Sequence, residues 1–131
     1  MTSKVAEAHW FFIEPVPASR PRVPRFGKPF YTGRYAEYRE LMAAYMASHE
    51  LPEPRSCSLS VEVTFICTRP KKPANDYPKG DIDNYVKAIL DSINGKAFMT
   101  DDRVITHLCA TKRYAIPGEL AHTYITFTEG S

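Results

Sequence analysis

A change of period between two neighbouring segments constrains the architecture most. Residues 58-SLSVEVTFICT-68 alternate, with Leu59, Val61, Val63, Phe65 and Cys67 on one side and Ser60, Glu62 and Thr64 on the other. Successive side chains of an extended chain point to opposite faces, so this pattern predicts a half-buried strand. After the loop 69-RPKKPANDYPKG-80 the rhythm changes. Val86, Ile89, Leu90 and Ile93 recur at helical spacing, and Asn94-Gly95 ends the run because glycine readily takes the left-handed cap conformation. Asp83 is expected as the N-cap, its charge suited to the positive end of the helix dipole.

The remaining elements follow from the same reading. Residues 8-AHWFFIE-14 predict a first strand, and 35-YAEYRELMAAYMASHE-50 a helix with Tyr38, Leu41, Met42, Tyr45 and Met46 facing the core. Residues 104–113 and 122–128 predict two further strands. The order strand, helix, strand, helix, strand, strand implies an α+β fold, with a small mixed sheet and two or three helices packed against it. A chain of 131 residues suggests a single domain spanning 1–131. Cys67 and Cys109 sit in apolar alternations and are expected as small core residues; with Cys57 they give three cysteines and no CxxC spacing, against a zinc site or a disulfide framework. No apolar run reaches the roughly 18 residues of a membrane span, and the N-terminus lacks a signal-peptide pattern, so the expected location is the cytoplasm.

Charge is distributed unevenly. Five aspartates, Asp81, Asp83, Asp91, Asp101 and Asp102, fall within 22 residues of a segment that also carries a core helix. Clustered carboxylates repel, and a bound cation offsets the repulsion. In an extended segment Asp81 and Asp83 would project to one side and reach a common point. Asp101 or Asp102, after a short connector, would close on it. Three converging carboxylates suit Mg²⁺ or Mn²⁺. Asp83, Lys87 and Asp91 share one helix face, so Lys87 and Asp91 also read as an exposed ion pair. Two basic groups flank the acidic segment: Arg20, Arg22, Arg25, Lys28, Arg34 and Arg39 before and into the first helix, and Arg69, Lys71, Lys72 and Lys79 after the central strand. The first lies largely in 15-PVPASRPRVPRFGKPF-30, whose five prolines stiffen it and reduce the entropy lost on meeting phosphates. Such a frame suits an enzyme that grips a polyanion and cuts it with metal ions. The ions would polarise a phosphodiester and lower the pKa of a bound water, and the Lys87 ammonium would neutralise charge developing on the phosphoryl oxygens.

The segments 80-GDIDNYVKAILDSING-95 and 98-FMTDDRVI-105 resemble the RusA family of Holliday junction resolvases, small endonucleases often found in bacteriophages and prophages. The proline- and arginine-rich 14-EPVPASRPRVPRFGKPFYT-32 leading into 35-YAEYRE-40 is similar to that family as well. The resemblance implies that Asp81, Asp83 and Asp102 bind Mg²⁺, that Lys87 is the catalytic lysine, and that Asp101 and Asp91 are accessory. It implies a homodimer making paired nicks across a four-way DNA junction. Arg20, Arg22, Arg25, Lys28, Arg34, Arg69, Lys71, Lys72 and Lys79 are the expected DNA contacts. The chain departs from the family's better-known member at Gly80, where that protein has a basic residue, and in a longer loop tip carrying Tyr77. Three other readings compete: a module that binds branched DNA without cutting it, a nuclease preferring other branched DNA, and a DxD sugar-nucleotide transferase, for which the chain is short.

Overall fold

The computed structural model describes residues 6–130. The elements are β1 (Ala6–Phe11), α1 (Gly33–Ser48), β2 (Leu59–Cys67), α2 (Ile82–Ile93), a 3-10 turn (Asp102–Val104), β3 (Ile105–Tyr114) and β4 (His122–Glu129). The four strands form one mixed sheet in the order β1-β4-β2-β3. β1 and β2 both pair antiparallel with β4, and β2 pairs parallel with β3. This is the α+β arrangement that the periodicities predict. Parallel neighbours cannot be joined by a tight turn, so the chain must travel back from the end of β2 to the start of β3. α2 makes that crossing.

The inward face of β2 carries Leu59, Val61, Val63, Phe65 and Cys67, all buried. Val61 lies in register between Leu108 of β3 and Phe127 of β4. Against this face α2 buries Tyr85, Ala88, Ile89 and Ile93, while Val86 and Leu90 are only partly covered. The buried stripe is therefore rotated towards Tyr85 and Ala88 relative to the one read from the sequence. α1 buries Tyr35, Tyr38 and Met42. Leu41, expected in the core, is 56% exposed. One helical step, about 100°, carries it off so narrow a stripe. Cys109 is likewise exposed rather than buried. It pairs with Glu62, on the sheet face opposite the Val61 side that the helices cover. Among the described residues no helix is long and apolar enough to cross a membrane.

The connector from α2 to β3 is pinned from beneath. Phe98 N–H donates to Pro52 O and Phe98 O accepts from Arg55 N–H, both at 3.1 Å, and Thr100 N–H donates to Arg55 O at 3.0 Å. Phe98 is the one non-glycine residue with positive φ among those described, at 68°. That conformation costs a bulky side chain roughly 1–2 kcal/mol. The ring offsets the cost by burying completely, stacked on Phe127 at 4.9 Å and edge-on to His9 at 5.6 Å. Arg55 ties the same region to the sheet through ion pairs with Glu7, at 2.8 Å, and Glu129.

Phe98→Ala is expected to lower the unfolding free energy by about 3–5 kcal/mol, measured by urea denaturation, because a buried ring is lost. A loss below about 1 kcal/mol would show that the ring does not secure the connector.

Candidate functional site

The N-terminus of α2 is built by four separate contacts. Gly80 turns the chain at φ 104°, and a Cβ there would come within 3.0 Å of Pro17 Cγ. Only glycine fits both the dihedral and the space. The Tyr85 hydroxyl donates to Lys79 O at 2.7 Å. Lys112 Nζ donates to Pro78 O at 2.9 Å and to Gly80 O at 2.5 Å. Ala18 N–H donates to Asn84 O at 2.8 Å, which docks the proline- and arginine-rich loop on the helix start. Three consecutive carbonyls, 78 to 80, are thus held by two side chains immediately before Asp81.

Asp81, not Asp83, is the N-cap, so the helix starts two residues earlier than the sequence suggests. Its carbonyl accepts from Asn84 and Tyr85, while its side chain makes no capping bond and stays exposed. Asp83 lies inside the first turn, also exposed. The two aspartates therefore straddle the helix start instead of sharing an extended segment.

Further along α2, Lys87 donates to Asp91 at 2.8 Å, the expected spacing of four. The hydrogen bond from Lys87 to Asp91, and then the Asp91 charge, raise the lysine pKa above its ordinary value, so it remains an ammonium. Lys87 also faces a cleft of about 480 Å³ lined by Ser19, Arg20, Pro21, Tyr31 and Asn84. Asp91 lines an adjoining cleft with Tyr31, Arg39, Glu40 and Lys96.

The aspartate pair meets the other end of the helix. Asn94, the C-cap of α2, accepts the Asp102 N–H at 2.9 Å, and Asp101 Oδ1 caps the 3-10 turn by accepting Arg103 N–H at 3.2 Å. A hydrogen bond with Asp101 holds the Asp102 carboxyl above the usual carboxylate range; partial burial and the charges of Asp101 and Asp91 push the same way, and Lys87 opposes them. Asp101 moves in the other direction, held low first by the Arg103 N–H and then by Asp102. Lys87, Asp91, Asp101 and Asp102 therefore form one electrostatic group.

Asp83 lies one turn, about 6 Å, before Lys87 on the same helix. From Asp83 to Asp91 the helix advances about 12 Å. Lys112, which holds the approach to Asp81, lies about 23 Å along β3 from Ile105. Among the described residues no three His, Cys, Asp or Glu side chains are gathered closely enough to hold a metal ion. The side chains of Asp81, Asp83 and Asp102, expected from the sequence to converge, are therefore not gathered at a single point in this structure. Carboxylates at about 4 Å also repel by roughly 4 kcal/mol per pair near a protein surface and do not gather unaided. The oxygens present fit a hard divalent cation by chemistry, and one chain does not bring three of them together.

Arg20, Arg22, Arg25, Lys28, Arg34, Arg69, Lys71, Lys72 and Lys79 are all exposed, and among the described residues none of them pairs with a carboxylate. Arg39 lies over the Tyr31 ring at 4.2 Å from its centroid. Lys112 escaped the sequence reading. The signal available was a lysine at an inward position of β3, in register with buried Phe65.

A family model described as Endodeoxyribonuclease RusA matches residues 13–126. No curated protein matches the chain.

Lys112→Met would leave two carbonyls without their donor. Amide hydrogen exchange in residues 81–85 is expected to accelerate about tenfold, corresponding to roughly 1.4 kcal/mol, with β2 amides unchanged. Exchange indistinguishable from wild type would remove the clamp.

Proposed function

The chain belongs to the RusA family of endodeoxyribonucleases, and from that premise we propose that it is a Mg²⁺-dependent, structure-specific nuclease that resolves four-way DNA junctions by paired symmetric nicks. The observation that carries this reading is the placing of Lys87. It is kept charged by Asp91, stands in one electrostatic group with Asp101 and Asp102, and faces a cleft walled by the basic loop.

In the proposed reaction a phosphodiester enters the Lys87 cleft. Lys87 is an ammonium throughout and offsets charge that develops on the non-bridging oxygens. The cations around the cleft position the flanking phosphates without reading sequence. Asp81, Asp83 and Asp102 would hold the Mg²⁺, or Mn²⁺ in its place; bound there, the ion would supply Lewis-acid polarisation of the phosphodiester and a water of lowered pKa. A homodimer carries two such sites, and its two-fold axis matches two symmetric incisions.

The reading is tested on a synthetic four-way junction with strand-by-strand product mapping, in Mg²⁺ and in chelator. Symmetric nicks that need Mg²⁺ are expected. Tight junction binding with no nick in any divalent ion would favour a binding module instead. Lys87→Ala is expected to reduce kcat by about 10²–10³-fold with DNA affinity little changed; near-normal turnover would reduce it to a surface lysine. Asp83→Asn and Asp102→Asn are each expected to abolish cutting while retaining DNA binding.

Replacing both Arg22 and Arg25 by Ala is expected to flatten the salt dependence of junction binding by about 2 in the log–log slope. An unchanged slope would remove the loop from the DNA interface.

A further inference from the structure

Residues 22–30 form a closed arm. Arg22 N–H donates to Phe30 O at 2.6 Å and Phe30 N–H donates to Arg22 O at 2.9 Å, an isolated antiparallel bridge. At the tip, Gly27 reverses the chain at φ 96°, with nothing near the position of a Cβ. Pro24 and Pro29 limit the freedom of the two sides.

The arm carries apolar side chains that nothing among the described residues covers. Phe26 is 83% exposed and Val23 76%. The guanidinium of Arg25 lies 5.8 Å from the Phe26 ring centroid. Single exposed apolar residues are common and need no explanation. Here, however, an aromatic ring sits at the tip of a bridged arm, in a segment from Pro15 to Ala36 that holds five cations and no acid. A ring of this kind contributes large contact area when a partner covers it.

The place of the arm selects the partner. Its root, Arg20 and Pro21, walls the same cleft as Lys87. A molecule that occupies that cleft and continues along the arm must be anionic, extended, and able to offer flat apolar faces. A nucleic-acid strand has all three properties, because every base has a π-face on which an aromatic side chain can stack. In an intact duplex those faces are occupied by neighbouring bases. At a branch point the stack is already interrupted, so opening it further costs less.

We propose that Phe26 is a stacking platform for a base unstacked at the branch point, and so a determinant of branched over continuous DNA. The proposal rests on the nuclease reading above and adds to it the recognition element.

The test uses the full chain and a four-way junction with 2-aminopurine beside the branch point, in Ca²⁺ to hold cleavage off. Wild-type binding is expected to raise the fluorescence through unstacking. Phe26→Ala should abolish most of the rise and weaken junction binding by about 5- to 150-fold, the range for one lost stacking contact. Binding to continuous duplex should change by less than about twofold. Phe26→Trp should retain both signals, and an unaltered thermal melt would show that the exposed substitution leaves the fold intact. Wild-type affinity and fluorescence in Phe26→Ala would overturn the proposal, as would equal losses on junction and duplex. Wild-type nicking of the same junction in Mg²⁺ is run alongside. If that control fails, the nuclease reading falls with it; if it succeeds while Phe26→Ala behaves as wild type, only the platform falls.

Discussion

Parallel pairing of β2 with β3 is the constraint on which the rest of the structure depends. Two parallel neighbours oblige the chain to run back across the sheet, and α2 is that return path. Its start is held where β3 nears its end, by Lys112, and its C-cap grips Asp102 just before β3 begins. The acidic residues are therefore distributed along a rigid rod. Its apolar side fixes it to the core through Ile89 and Ile93, and its polar side carries Asp83, Lys87 and Asp91 in a row.

The two ends of that rod are secured differently. At the start, backbone carbonyls receive a lysine ammonium and a tyrosine hydroxyl, and a glycine fits where a side chain would collide with Pro17. At the finish, Phe98 accepts an unfavourable backbone conformation in exchange for complete burial. Both devices spend local strain or polar groups to place aspartates that are themselves exposed. Sites of precise geometry commonly rest on such support. The crowding of charge that results is visible in the Asp101–Asp102 pair, where one carboxyl is driven up by its neighbour and the other is held down by the Arg103 N–H.

The basic residues complement this acidic row without touching it. They stay solvated on the arm and on the loop after β2, with no intramolecular carboxylate partner among the described residues. Cations left free in this way remain available to a polyanion, and their contribution is screened by salt. The ammonium of Lys87, paired with Asp91, and the root of the basic arm meet at one cleft.

Much of this was legible in the chain. The period-two run of β2, the helical stripe of α2, the Asn94-Gly95 stop, the i,i+4 pairing of Lys87 with Asp91 and the charge segregation are local properties, and local spacing reports them directly. Leu41 and Cys109 misled because periodicity gives a face but not whether anything covers it. Lys112 was missed because its partners are backbone carbonyls more than thirty residues away in sequence. The sequence by itself determined which residues carry charge, which repeat apolar, and where the chain must turn. Only the tertiary structure decided that Asp102 meets the C-cap of α2 while Lys112 holds the approach to its start. That placement follows from the direction of β3 beside β2, a long-range hydrogen-bonding choice that no spacing along the chain encodes.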